Sequence, residues 1–365
     1  MKSFNFYLPT KIIFGTGRIK ELRANIPPGS DNILIVTDKN VAEKSGALDS
    51  ILIQLKDKNV EIFNEVKENS PLFLLKKGKD ISRRKNIQMI LGVGGGSSMD
   101  TAKGIAVLAT NSGNMIEFLE GKELTDDPLP VVCIPTTSGT GSEVTPYAVF
   151  TDPENKRGYS NSKIFPLFSI IDPELTYSMP ENVIINTGID ALIHSIEAFL
   201  SAESFLLNDQ LALQAISIIM ENLRHATKKN RGAMQQLSYA AMIAGVAITH
   251  AGTILLHVMS YPLTVFHGIP HGRANAILLP GFIEFMKERS SVKEKVCRLE
   301  QIFKDSGGIK NFVAEFNIEP KLSAYGIRED EIPVFVEKTI VKDDVKITPA
   351  EITKQDIFNI YTKHL

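Results

Sequence analysis

The sequence predicts an α/β first half built on a parallel sheet, over residues 1–179, joined to an all-helical second half, over residues 180–365. Three observations carry this reading. Between Asn32 and about Asp172, short apolar runs alternate with longer helix-like stretches, the rhythm of βαβ units. Beyond Pro180, the segments Glu181 to Leu223 and Ala233 to Ile254 are rich in Ala, Leu, Ile and Met and poor in helix breakers. With 365 residues the chain is long enough for about two domains of roughly 150 residues each.

The elements follow in order. Ile33 to Thr37 (ILIVT), Ile87 to Val93 (IQMILGV), Pro130 to Pro135 (PVVCIP) and Phe168 to Ile171 (FSII) carry β-branched residues and end at Gly, Asp, Pro or Thr, so each is expected to be a buried strand. The segment TYSMPEN, with Pro180 placed to open a helix, marks the expected boundary between the halves.

Composition excludes several classes. The 40 Lys plus Arg nearly cancel 42 Asp plus Glu, leaving −2, and no long single-sign block offers an arm for nucleic acid. At 43% hydrophobic and 22% charged, the chain is too apolar to stay disordered. Two cysteines, Cys133 and Cys297, with no CxxC pair, fit a reducing compartment, so a cytoplasmic address is expected. The opening MKSFNFYLPTKIIFG has charges and a proline where a signal peptide needs an apolar run, and no apolar stretch of about 18 residues is evident, so neither export nor a membrane is expected.

Chemistry concentrates in a few motifs. Gly92 to Lys103 (GVGGGSSMDTAK) follows a predicted strand and opens a helix. Bare glycines let backbone N–H groups approach a pyrophosphate, and the helix start adds unpaired donors, although such a turn can also be no more than a tight turn. A second turn, Pro135 to Glu143 (PTTSGTGSE), offers hydroxyls suited to phosphate or ribose; its alternative is a loop that caps a helix near Ser142. Two such turns at neighbouring strand ends favour a nucleotide lying across them. Asp38, directly after ILIVT, can hydrogen-bond ribose hydroxyls and repel a 2′-phosphate, favouring NAD over NADP, or it can cap a helix beginning near Val41.

Six of the 7 histidines fall between His194 and His271. Asp190 and His194, at i and i+4 in GIDALIHSIEAF, share a helix face and can bind one cation, or simply pair with each other. His257 and His271, in HVMSYPLTVFHGIPHG, could complete the site. One carboxylate and three imidazoles suit Zn²⁺ or Fe²⁺ with room for a substrate oxygen. His225, His250 and His364 are expected to be ordinary hydrogen-bonded histidines.

Taken together, GVGGGSSMDTAK, PTTSGTGSEVT, DPELTYSMP, GIDALIHSIEAF, HVMSYPLTVFHGIPHGRANAILLP and ITKQDIFNIY, in this order and almost from end to end, resemble the iron-containing (group III) alcohol dehydrogenases of the dehydroquinate synthase-like superfamily. The resemblance implies metal ligation by Asp190, His194, His257 and His271, and cofactor contacts from Asp38, Asn69, Gly95, Gly96, Ser97, Asp100, Thr136 and Thr137. It also implies a homodimer. Two departures stand out: Tyr261 occupies a position where many relatives have a histidine, leaving His267 or Tyr261 to pass a proton, and the connection from Asn69 to Ile87 is short.

The expected activity is metal-dependent, NAD-linked interconversion of small primary alcohols or diols with aldehydes, with Fe²⁺ and Zn²⁺ both open. A dehydroquinate synthase-type lyase would need several cations near the metal, and Arg273 is the sole Lys or Arg between Ala233 and Phe282. A non-catalytic metal- and nucleotide-binding module is the remaining alternative.

Overall fold

The computed structural model describes residues 2–39 and 44–365. Its sheet comprises Lys11–Phe14 (β1), Asn32–Val36 (β2), Asn59–Phe63 (β3), Met89–Gly94 (β4), Val131–Pro135 (β5) and Phe168–Ile171 (β8). The strands run in the order β1-β8-β5-β4-β2-β3, and every pairing is parallel. The four strands expected from sequence are all present and occupy consecutive central positions. Alternate residues point to opposite faces: Leu34, Val36 and Ile90 enter one apolar cluster, while Ile33, Ile35, Leu91 and Val93 enter another. Cover on both faces explains why these strands read as unbroken apolar runs.

The remaining strands lie where that signal is weakest. β1 and β3 are the two sheet edges, and NVEIF of β3 carries polar residues because it packs against β2 alone. Tyr147–Thr151 (β6) and Lys156–Ser160 (β7) form a separate antiparallel ribbon. Asp152 organises its turn by accepting from Glu154 N at 2.9 Å and Asn155 N at 2.7 Å. Helices Ala47–Gln54 (α1), Leu72–Arg84 (α2) and Gly96–Thr110 (α3) flank the sheet, with α2 filling the short connection from Asn69 to Ile87.

The second half is helical throughout: Glu181–Leu200 (α4), Leu206–Thr227 (α5), Arg231–Ala251 (α6), Leu255–His267 (α7), His271–Arg289 (α8), then shorter helices including Ile332–Ile340 (α9) and Lys354–Thr362 (α10). One expectation needs correction: α4 has the length and apolar composition of a membrane span, with mean hydropathy 1.4. It is nevertheless the core helix of this half, with 83% of that window buried beneath α5, α6 and α8. The two halves meet through the hydroxyl-rich turn and ribbon: Ser138 Oγ lies 3.0 Å from Ser238 Oγ, and the Tyr147 hydroxyl donates to Ile248 O at 3.2 Å.

Candidate active site

In the sheet order β2 lies between β3 and β4, so the chain reverses its direction of travel there, and this is where open α/β sheets leave a crevice at their carboxyl ends. Asp38 leaves β2, Gly94 to Gly96 leave β4, and Thr136 and Thr137 leave β5. Gly94 has φ 143°, and a Cβ there would meet Ser98 Oγ at 2.4 Å and Asp38 Oδ2 at 3.7 Å, so only glycine fits between the helix start and the acidic side chain. Gly95 caps α3 and Gly96 begins it. Ser97 anchors the neighbouring loop: its Oγ accepts from Asn69 N at 3.0 Å, and its carbonyl accepts from Ser70 Oγ at 2.9 Å. Thr136 N donates to Gly94 O at 2.9 Å, while its buried hydroxyl has no partner among the described residues. Thr137 borders Gly95, whose Cβ would lie 3.3 Å from Thr137 Oγ1.

The fold therefore gathers Asp38, Asn69, Gly95, Gly96, Ser97, Thr136 and Thr137 around one turn. Asp100 is differently employed: its carboxylate accepts from Ser142 Oγ at 2.6 Å and Val149 N at 3.0 Å, tying α3 to β6. Lys103, which sequence reasoning passed over, is fully buried and donates to Ser142 O, Thr145 O and Tyr147 O at 2.7, 2.9 and 2.7 Å. It holds the second turn in place from beneath. The helix expected near Val41 lies outside the described residues.

The second cluster forms across three helices. Asp190, His194 and Glu197 occupy i, i+4 and i+7 of α4 and so share one face. His257 stands in the first turn of α7, and His271 is the first residue of α8. The start of α8 lies so close to α4 that a Cβ on Gly272 would fall 1.9 Å from Asn186 O and 3.2 Å from Asp190 Cβ. Glycine at that position lets His271 stand over Asp190.

Asp190, His257 and His271 place ligand atoms within 4.8 Å of one another, and both His257 Nε2 and His271 Nε2 lie 3.8 Å from Asp190 Oδ1. The His194 ring stacks on that of His257, centroids 4.5 Å apart. Among the described residues, Asp190 Oδ1, His194 Nδ1 and His257 Nε2 are buried without a hydrogen-bond partner. Unpartnered buried polar atoms are costly, and a carboxylate oxygen with two imidazole nitrogens drawn together, as in Asp190, His257 and His271, is what a cation site requires; His194 adjoins this trio through its stack on His257. Burial holds His194 and His257 down at about 4 against the pull of Asp190, and burial followed by the Lys156 charge holds His271 well below its ordinary value. Neutral imidazoles present the lone pairs that a metal needs.

Two partners orient these rings, and sequence reading missed both. The Glu197 carboxylate accepts from His257 Nδ1 and also from the backbone N–H of Ile254 at 3.1 Å and of His257 at 3.2 Å. Ser260 Oγ donates to His257 O at 2.7 Å and accepts from His271 Nδ1 at 3.0 Å. Each bond leaves Nε2 of its imidazole facing the cluster. The signal for Glu197 was available in sequence as a carboxylate seven residues after Asp190.

Of the two expected proton carriers, the structure sets Tyr261 beside the cluster and turns His267 away from it. The Tyr261 ring lies 5.7 Å from that of His271. His267 sits about 15 Å along the helix axis from His257, where it contacts Glu331 Oε1 at 3.1 Å and stands edge-on to Phe335. The count of cations near the site also changes. Arg273 is the sole Lys or Arg of the 233–282 segment, but Lys156, Lys338 and Lys342 reach Tyr261 and its neighbours from outside it. Burial lowers Lys156 to about 8.

Residues 9–173 match the family model for iron-containing alcohol dehydrogenase, and residues 184–365 match the C-terminal model of the Fe-containing alcohol dehydrogenase family. The chain belongs to this family. It is 30% identical to 1,3-propanediol dehydrogenase of Klebsiella pneumoniae, across 99% of this chain and 98% of that protein. An iron-containing alcohol dehydrogenase of Thermotoga maritima superposes with TM-score 0.92 at 39% identity, covering 100% of this chain and 99% of the other. A sulfoacetaldehyde reductase of Bifidobacterium kashiwanohense, solved in complex with NAD⁺, does so with TM-score 0.88 at 27% identity over 100% and 99% of the two chains. Family membership makes this chain an oxidoreductase of alcohols and aldehydes of the iron-containing type, and sets aside the lyase and non-catalytic alternatives.

Proposed function

We propose that the chain interconverts small primary alcohols or diols and aldehydes with NAD as the hydride carrier, at a divalent metal held by Asp190, His194, His257 and His271. The observation that carries this reading is the set of buried, unpartnered ligand atoms on Asp190, His194 and His257, with His271 poised over the same carboxylate. A bound Fe²⁺ or Zn²⁺ would supply Lewis acidity and NAD would supply the hydride acceptor, for a reaction that balances as alcohol plus NAD⁺ giving aldehyde, NADH and one proton.

The protein's own groups do the rest. The turn at Gly95, Gly96 and Ser97 offers backbone N–H groups to a pyrophosphate, Thr136 and Thr137 offer hydroxyls from β5, and Asn69 closes the near side. Asp38 presents a carboxylate beside this turn, which supports NAD over NADP. Tyr261, next to His271, is the better-placed group to hydrogen-bond the departing proton; burial raises its phenol well above the ordinary value, so it acts as a donor and acceptor and stays protonated. The cysteine content supports a cytoplasmic address, and the family resemblance supports a homodimer.

Metal removal tests the reading. Chelation is expected to abolish turnover while NADH still binds, since the ligands and the glycine turn lie in different halves. Full activity after verified metal loss would refute it.

A further inference from the structure

Asn275 stands on α8 one turn beyond His271 and is fully buried, flanked in the chain by buried Ala274 and Ala276. Its Nδ2 lies 3.4 Å from His271 Nε2, the nitrogen that faces Asp190 Oδ1 at 3.8 Å. Its Oδ1 is buried without a hydrogen-bond partner among the described residues. An amide in such surroundings is unfavourable unless it is hydrogen-bonded, and the side-chain bond that Asn275 makes is to a candidate metal ligand.

The hydrogen bonds around His271 determine the direction of that contact. Ser260 Oγ gives its proton to His257 O at 2.7 Å, so toward His271 Nδ1, at 3.0 Å, it accepts. The ring proton therefore sits on Nδ1 and the lone pair on Nε2. Asn275 donates to that lone pair through Nδ2, since a flipped amide would set Oδ1 against it. Of the two imidazole nitrogens gathered around Asp190 Oδ1, His257 Nε2 has no partner among the described residues, whereas His271 Nε2 is already engaged. A ring nitrogen has one lone pair, which serves an amide donor or a cation but not both. A cation binding His271 must therefore displace Asn275.

We propose that Asn275 is a positioning residue that reserves His271 for the metal: its amide and Ser260 pin the ring by both nitrogens before an ion binds, and the amide then yields the Nε2 lone pair to the ion. This rests on the reading of Asp190, His194, His257 and His271 as a metal centre and adds the group that competes with the ion. The two anchors have opposite consequences. The Ser260 bond survives metal binding and favours it, because it directs Nε2 toward Asp190. The Asn275 bond must break, so it opposes binding by the worth of one neutral hydrogen bond, about fivefold in affinity or about 1 kcal/mol.

The test is chelator competition for Zn²⁺ and Fe²⁺ on the full-length wild type, Asn275→Leu, Asn275→Ala and Ser260→Ala, with a melting curve for each protein. Asn275→Leu, similar in size but without the donor, is expected to bind both ions about five- to tenfold more tightly. Ser260→Ala is expected to bind them about tenfold more weakly. A merely structural role for Asn275 would weaken binding or leave it unchanged, so a folded Asn275→Leu protein within about twofold of wild type, or weaker, would overturn the proposal. Asn275→Ala removes the same donor without added bulk and decides the matter if the leucine variant does not fold. Nitrogen-15 NMR of the metal-free wild type gives a readout that needs neither variant nor ion: His271 Nε2 is expected to resonate as an unprotonated, hydrogen-bonded imidazole nitrogen. A ring protonated on Nε2, or an Nε2 with no hydrogen bond, would overturn the proposal. Failure of every protein to bind either ion would sink the metal-centre reading and the competition with it, leaving the Asn275–His271 bond to the NMR result.

Discussion

Glu197→Gln isolates the contribution of a residue that touches the candidate metal only through His257. The wild-type carboxylate accepts from three N–H groups, those of the His257 ring, Ile254 and His257. Glutamine keeps one acceptor oxygen and turns an NH₂ toward the remaining donors, so at least one buried N–H loses its partner, at about 1–3 kcal/mol of stability. The substitution also removes the charge that makes His257 Nε2 basic, and outer partners of this kind are worth roughly 10- to 100-fold in metal affinity, or about 1.4–2.7 kcal/mol. Burial holds Glu197 well above the usual carboxylate range, but the surrounding backbone N–H groups pull the other way, as a bound cation would. The assay is chelator competition for Fe²⁺ and Zn²⁺ on both proteins, with melting curves recorded with and without metal. The stabilisation by metal is expected to shrink in the variant together with its affinity. A folded Glu197→Gln protein that binds both metals within about threefold of wild type would refute the orienting role.

Three further outcomes are expected. The metal-free protein should lose stability as pH falls from 6.5 towards 4, because His194 and His257 are held at about 4 when folded but titrate near 6.5 when unfolded. Over that window the unfolded chain binds more protons, so each histidine contributes a loss on the order of 3 kcal/mol, and denaturant melts between pH 7 and 5 that coincide would contradict this. Asp38→Gly should move preference from NADH toward NADPH by roughly tenfold, about 1.4 kcal/mol, and a variant that keeps its preference but melts lower would make Asp38 a helix cap instead. His267→Asn should lose its contact with Glu331 and about 1 kcal/mol of stability while metal content and oxidation rate stay near wild type. A rate loss of tenfold or more with full metal would return His267 to the proton path.

Local chemistry in the chain was enough for the strands ILIVT, IQMILGV, PVVCIP and FSII, because a strand buried on both faces must be apolar along its length. The helical second half and the pairing of Asp190 with His194 were equally legible, since a period of 3.6 residues determines which side chains share a face. The edge strand β3 was not, because a strand with one neighbour needs less apolar surface and loses the pattern that announces it. The same limit applied at the site. Nothing local distinguishes Tyr261 beside His271 from His267 turned toward Glu331, and nothing local brings Lys156, Lys338 and Lys342 to one cavity from a ribbon and a distant helical segment. The sequence by itself determined which groups could ligate, cap or cradle, because those capacities reside in side-chain chemistry and short-range geometry. Only the tertiary structure decided which of them meet, because contacts between residues far apart in the chain arise from the packing of whole helices and strands.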